Sequence, residues 1–158
     1  MIEYYNGDIF NAPINILIHS ANCWHTMGAG IAKEIKLKYP RAYQSDCMTQ
    51  KGDRKKMGQF SLSAPADDQP FYILNCYTQY RYGRDKQYVE YDKFHECLEN
   101  VKNWVIKMKI ENPVIGCPYK ISCQNAGGDW NGKILPIIKY VFDDESLIKF
   151  LICQIEKK

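Results

Sequence analysis

No stretch of this 158-residue chain is both apolar and long enough to span a bilayer, which excludes a transmembrane helix. The first residues, Met1-Ile2-Glu3-Tyr4-Tyr5, lack the basic start and apolar run of a signal peptide. Both absences predict a cytoplasmic protein with no membrane partner. There is no C-x-x-C pair either. The seven cysteines, at 23, 47, 76, 97, 117, 123 and 153, are odd in number and several sit within apolar runs. The expectation is free thiols in a reducing compartment, with no disulfide framework and no zinc site. Excess charge is also small: 21 basic against 18 acidic residues leave +3, too little to make nucleic acid an obligatory partner. Lys51, Arg54, Lys55 and Lys56 cluster, as do Arg81, Arg84 and Lys86, and both groups read first as solvated loops and second as a phosphate-attracting rim. Repeats, low-complexity tracts and linkers are missing, and the length suits one buried core better than two. Residues 1–158 are therefore expected to form one domain, acting as a monomer.

What is present is a regular alternation of short apolar runs and helical patterns. Strands are predicted at 2–5, 14–20, 59–63, 71–77, 113–117 and 147–153. Runs such as Asn15-Ile16-Leu17-Ile18 and Pro113-Val114-Ile115-Gly116-Cys117 are apolar throughout, as in a sheet covered on both faces. Phe94, Leu98, Val101, Val105 and Met108 recur at steps of three and four and predict a helix over 92–109. A second helix is predicted over 30–39, closed by Pro40, and a third over 133–142, with Asn131 and Gly132 at its start and Pro136 tolerated in the first turn. The fold class is α/β with three layers. Segments 49–57 and 78–90 read as polar loops.

The most informative segment is Ile16 to Ala32, a buried strand running through a glycine-containing loop directly into a helix. Such a junction aims unpaired amides and the positive end of a helix dipole at one point, where an anion fits. Gly28 and Gly30 let the backbone approach a diphosphate closely, but Lys33 occupies the third glycine position of a dinucleotide fingerprint, which disfavours a nicotinamide dehydrogenase. Asn22 suits a ribose hydroxyl and a loop-capping bond equally. Ser122, Cys123, Gln124, Asn125, Ala126, Gly127, Gly128 and Asp129 form a second small-residue loop after an apolar strand, and two facing loops of this kind can grip a diphosphate from both sides. Gly7-Asp8-Ile9 suits a turn as well as a ligand. Among the histidines, His95 reads as surface, His19 first as a hydrogen-bonded core residue and second as catalytic or supporting, and His25 first as a solvent-facing loop residue and second as a general acid or base.

Together, Gly7-Asp8-Ile9, His19-Ser20-Ala21-Asn22-Cys23, Met27-Gly28-Ala29-Gly30-Ile31-Ala32 and Ser122–Trp130 resemble the macro domain family of ADP-ribose binders, over residues 2 to about 152. With Trp24-His25-Thr26 and Thr78–Asp85, the chain looks most like the small stand-alone ADP-ribose 1″-phosphate phosphatases of that family, phage-encoded ones among them. The resemblance implies a three-layer α/β/α domain around a mixed sheet, binding ADP-ribose or ADP-ribose 1″-phosphate without metal or cofactor. It implies that Asp8 accepts from the adenine amino group, with Gly7 and Ile9 beside it. Asn22 would hold the distal ribose, with Ser20 and Ala21 also among the ligand-binding residues, 27–32 would wrap one side of the diphosphate, and 122–128 the other. His19 is carried over as a candidate for turnover, His25 is its more accessible alternative, and Asp129 is the nearest acid. Relatives that strip ADP-ribose from macromolecules use a lysine and an acidic residue where this chain places Gln79 and Ala126, which argues against that chemistry here. De-ADP-ribosylation and non-catalytic reading of ADP-ribose remain the alternatives.

Overall fold

The computed structural model describes residues 1–123 and 126–155. Six strands, β1 (Ile2–Asn6), β2 (Ile16–Ala21), β3 (Phe60–Ser63), β4 (Tyr72–Tyr77), β5 (Val114–Pro118) and β6 (Lys149–Gln154), form one sheet in the order β1-β6-β5-β2-β4-β3. β3 runs antiparallel to β4 and every other pairing is parallel, so the sheet is mixed. The helices are α1 (Gly30–Lys38), α2 (Pro40–Cys47), α3 (Tyr91–Lys107) and α4 (Leu135–Phe142).

Alternation along the strands divides the apolar residues between two cores. Ile16, Ile18, Leu74, Cys76, Phe150 and Ile152 face α3 and α4, where Phe94, Leu98, Val101, Val105 and Ile138 complete the packing. Their neighbours Leu17, Ile73, Leu151 and Cys153 face the other way, onto Ile35 of α1 and Ala42 of α2. Helices thus cover both faces, which explains why β2 and β4 are apolar nearly throughout. The side of the sheet under α1 and α2 also buries a polar set, His19, Asn75 and Tyr77, in the same alternation as Leu17 and Ile73.

Each predicted strand and helix lies within a few residues of its observed counterpart, and the differences have identifiable causes. Pro40 ends α1 but also opens α2, where it occupies the first turn and needs no amide partner. The helix predicted from 133 begins earlier, with a wide π-type turn at Trp130–Ile134 capped by the Asp129 carboxylate, which accepts from the Gly132 amide at 3.0 Å. Within 49–57, Arg54–Lys56 forms a short 3₁₀ turn that buries Lys56, correcting the reading of that lysine as solvated. All seven cysteines are free thiols.

Candidate functional site

Because β1, β6, β5, β2 and β4 are parallel, their carboxyl ends share one edge of the sheet. The chain leaves that edge at Gly7, Asn22, Thr78, Tyr119 and Ile155. A cavity of about 370 Å³ opens there, within the range of small-molecule sites. It is lined by the β2–α1 loop with the first turn of α1, by the segment from Pro118 to Ser122 with Ala126, and by Tyr82, Gly83 and Arg84 of the 78–90 loop. The side chains of Ser20 and Ser122 hydrogen-bond to each other and tie the first two of these together.

The amino end of α1 is built to receive an anion. Its N-cap is Ala29, which offers no side-chain acceptor, so the first amides of the helix are left to a ligand or solvent. Gly30 takes φ +57°, a conformation that side chains resist, whereas a β-carbon on Gly28 would meet nothing closer than the Thr26 carbonyl at 3.7 Å. Arg84 and Lys120 line the cavity, and neither pairs with a carboxylate among the described residues.

The sequence-predicted ligand set is largely assembled here. Ser20, Ala21, Asn22, Met27, Gly28, Ala29, Gly30, Ile31, Ala32, Ser122 and Ala126 all line the cavity. Asn22 is already engaged: its amide donates to Thr26 Oγ1 at 2.7 Å and its oxygen accepts from the Trp24 amide at 2.8 Å. Gly127 and Gly128 do not line it; a β-carbon on either would strike the backbone of Gln87 or Ser122, so they serve loop packing. Cys123 turns its thiol to the Ile121 carbonyl instead, and burial pushes that thiol up to about 11. Gln124 and Asn125 lie outside the described residues.

Gly7, Asp8 and Ile9 sit at the end of β1, beyond β6 and outside the cavity lining. The Asp8 carboxylate caps a 3₁₀ turn by accepting from the Phe10 amide at 3.0 Å, and Ile9 packs into the core beneath α1. The turn reading therefore describes their contacts within the protein.

None of the three candidates for turnover lines the cavity. His19 is wholly buried, with Nε2 2.6 Å from Asn75 Oδ1. Asn75 uses its amide protons on Ala42 O and Ser61 Oγ, so its oxygen accepts and Nε2 carries the proton. Nδ1 has no partner, and burial lowers the ring's pKa from the ordinary imidazole value. His19 thus joins β2 to β4 rather than facing a ligand. Asp129 caps the turn before α4, which accounts for its carboxylate. His25, half-buried at φ +58°, lies next in sequence to the cavity residue Thr26, with Nε2 3.2 Å from Thr49 Oγ1.

Sequence reasoning missed Asp46. It lies on α2 yet lines the cavity at the β4 end, only 1% exposed, and it accepts from the Tyr77 hydroxyl at 2.6 Å. Nothing local marks it, because Pro40 hides the helix that carries it. Tyr82 was legible only as part of a polar loop, whereas Arg84 belongs to the basic cluster whose second reading was a phosphate-attracting rim, and it lines the cavity.

Comparison with known proteins agrees with this geometry. The macro domain family profile matches residues 18–132. An uncharacterized 17.5 kDa protein of phage T4 is 33% identical over 73% of this chain and 78% of its own. The DNA ADP-ribosyl glycohydrolase of Mycobacterium tuberculosis is 33% identical over 50% of the chain, and the ADP-ribose 1″-phosphate phosphatase of Aspergillus oryzae is 51% identical over 27%. Those matches span only 23% and 21% of the two enzymes. Among solved structures, Thermosipho africanus DarTG in complex with ADP-ribose superposes with a TM-score of 0.73 at 18% identity, covering 96% of this chain and 41% of that one. The profile match over most of its length and the fold it shares with these structures establish that the chain belongs to the macro domain family.

Proposed function

We propose that this protein binds ADP-ribose along the sheet edge and hydrolyses ADP-ribose 1″-phosphate to ADP-ribose and inorganic phosphate. The observation that carries the reading is the cavity itself: two loop walls joined through Ser20 and Ser122, with the uncapped amides of α1 exposed along one of them. Backbone amides at a helix start favour a diphosphate, and fixed donors cost no reorganisation when charge shifts during reaction. Arg84 and Lys120 supply positive charge for a further phosphate. The 51% identity to a named ADP-ribose 1″-phosphate phosphatase over 27% of the chain supports the choice of leaving group, and Gln79, where macromolecule-directed relatives use a lysine, supports it from the other side.

Proton transfer falls to His25 in this reading. Thr49 Oγ1 donates to the Asp46 carbonyl at 2.6 Å, so its bond with His25 is donated by Nε2, and Nδ1 is left as the basic nitrogen. The test is incubation of the purified protein with ADP-ribose 1″-phosphate, with ADP-ribosylated protein and with ADP-ribosylated DNA, quantifying phosphate and free ADP-ribose. Phosphate release from the first substrate alone is expected. Release of ADP-ribose from either macromolecule, without phosphate release, would assign the site to de-ADP-ribosylation instead.

A further inference from the structure

We infer that the β4 end of the cavity is a hydroxyl-binding subsite in which Asp46 Oδ2 accepts a hydrogen bond from the sugar at the far end of a nucleoside diphosphate ligand. The inference deepens the ADP-ribose reading and rests on it. Asp46 lines the cavity but is 1% exposed, and while Oδ1 is bound by Tyr77, Oδ2 has no partner among the described residues. A desolvated carboxylate oxygen without a donor is costly, and a ligand that supplies an O–H there recovers the cost on binding.

The surroundings hold that oxygen in place. The Tyr77 hydroxyl spends its proton on Asp46, so Ser61 donates to Tyr77 at 2.8 Å, Asn75 donates to Ser61 at 3.0 Å, and His19 donates to Asn75. From the other side, Thr49 donates to the Asp46 carbonyl and Lys56 donates to Thr49 at 2.8 Å. This network spans β2, β4, β3 and α2, so Asp46 is fixed by tertiary structure rather than by its own rotamer preference.

The chemistry of the occupant follows from charge. An anion beside Asp46 would be repelled, and the anion-accepting amides belong to the first turn of α1, another part of the same cavity. A metal ion is not suggested, since the described residues hold no group of three or more side chains able to ligate one. A neutral, donor-rich group fits, and a ribose beyond the diphosphate has that character. A phosphate ester on that ribose must then point away from Asp46, and Arg84 and Lys120 are the cations that line the same cavity.

Asp46 is thereby the residue that distinguishes ADP-ribose from ADP, which carries the same adenosine and diphosphate without the second sugar. Calorimetry with both ligands on the wild type, Asp46→Asn and Asp46→Leu tests this. Asn keeps an acceptor for Tyr77 while removing the free carboxylate oxygen, and Leu removes both. The expected result is a loss of about ten- to a hundredfold in ADP-ribose affinity, the worth of a hydrogen bond to a charged group, with ADP affinity held within about twofold. Retained ADP binding also shows that each variant is folded. Equal affinity of wild type and both variants for ADP-ribose, or equal losses for the two ligands in both variants, would overturn the subsite. A wild type that binds ADP-ribose no better than ADP would do the same while leaving the diphosphate grip intact. Binding of neither ligand would instead overturn the ADP-ribose reading as a whole, and the subsite with it.

Discussion

His19, on β2, and His25, in the loop that follows it, differ in burial. His19 is buried and its Nδ1 faces no acceptor, so protonation would strand a charge in the core. Its value is lowered from 6.5, first by burial, against smaller opposing contributions from Asn75 and Asp46. In the window between that lowered value and 6.5 the unfolded chain binds more protons than the folded one. Stability from this residue is therefore complete above 6.5 and is lost as pH falls through the window. Thermal melts from about pH 7 to about pH 5 should show His19→Gln losing less stability on acidification than the wild type does, with the phosphatase rate per folded molecule little changed. His25→Gln should behave in the opposite way: a rate lower by about 10²–10⁴-fold with ADP-ribose affinity preserved. A full rate in His25→Gln would remove His25 from proton transfer, and a lost rate in His19→Gln with a normal melt would move the role to His19.

At the scale of elements, Asp129 is the informative case, because a sequence reader meets it as an acid near a ligand loop. Its carboxylate accepts from the Gly132 amide at the start of the Trp130–Ile134 turn, which leads directly into α4. Removing such a cap costs about 0.5–2 kcal/mol of stability, and Asp129→Ala should lose that much in denaturant melts. Asp129→Asn, which preserves an acceptor, should lose much less, and phosphate release from ADP-ribose 1″-phosphate should be unaffected in both. A rate loss in both variants without a stability loss in Asp129→Ala would return Asp129 to the chemistry. The same element shows which features a sequence reveals. The period of α3, Phe94 through Val105, and the apolar strands were legible because burial on one or both faces imprints a repeat on neighbouring residues. α2 was not, because the eight residues that begin with Pro40 carry only two buried positions, one of them Asp46. Pro40 has two readings, as the end of one helix and the first turn of the next, and only packing against β3 and β4 selects both.

At the scale of the molecule, the site exists only when distant parts of the chain meet. The loop after β2 and the loop after β5 are about a hundred residues apart, yet Ser20 and Ser122 touch. They do so because β5 and β2 are adjacent in the sheet, as are β2 and β4, whose register sets His19 opposite Asn75. Sequence could suggest that two small-residue loops face each other, since each follows an apolar strand. It could not place Asp46 or Arg84 beside them, because those positions depend on strand order and on how α2 and the 78–90 loop return across the sheet edge. A ligand that recognises this arrangement finds no equivalent in the unfolded chain, so binding must appear as stability. At a concentration of one hundred times the dissociation constant, ADP-ribose should add about 2.7 kcal/mol, which for a domain of this length is a rise of roughly 5–10 °C in Tm. The rise should continue with the logarithm of ligand concentration, as linkage requires of a ligand bound only by the native state. An unchanged melt at concentrations where calorimetry reports saturation would mean that the unfolded chain binds equally well, and would remove the folded sheet edge as the binding site.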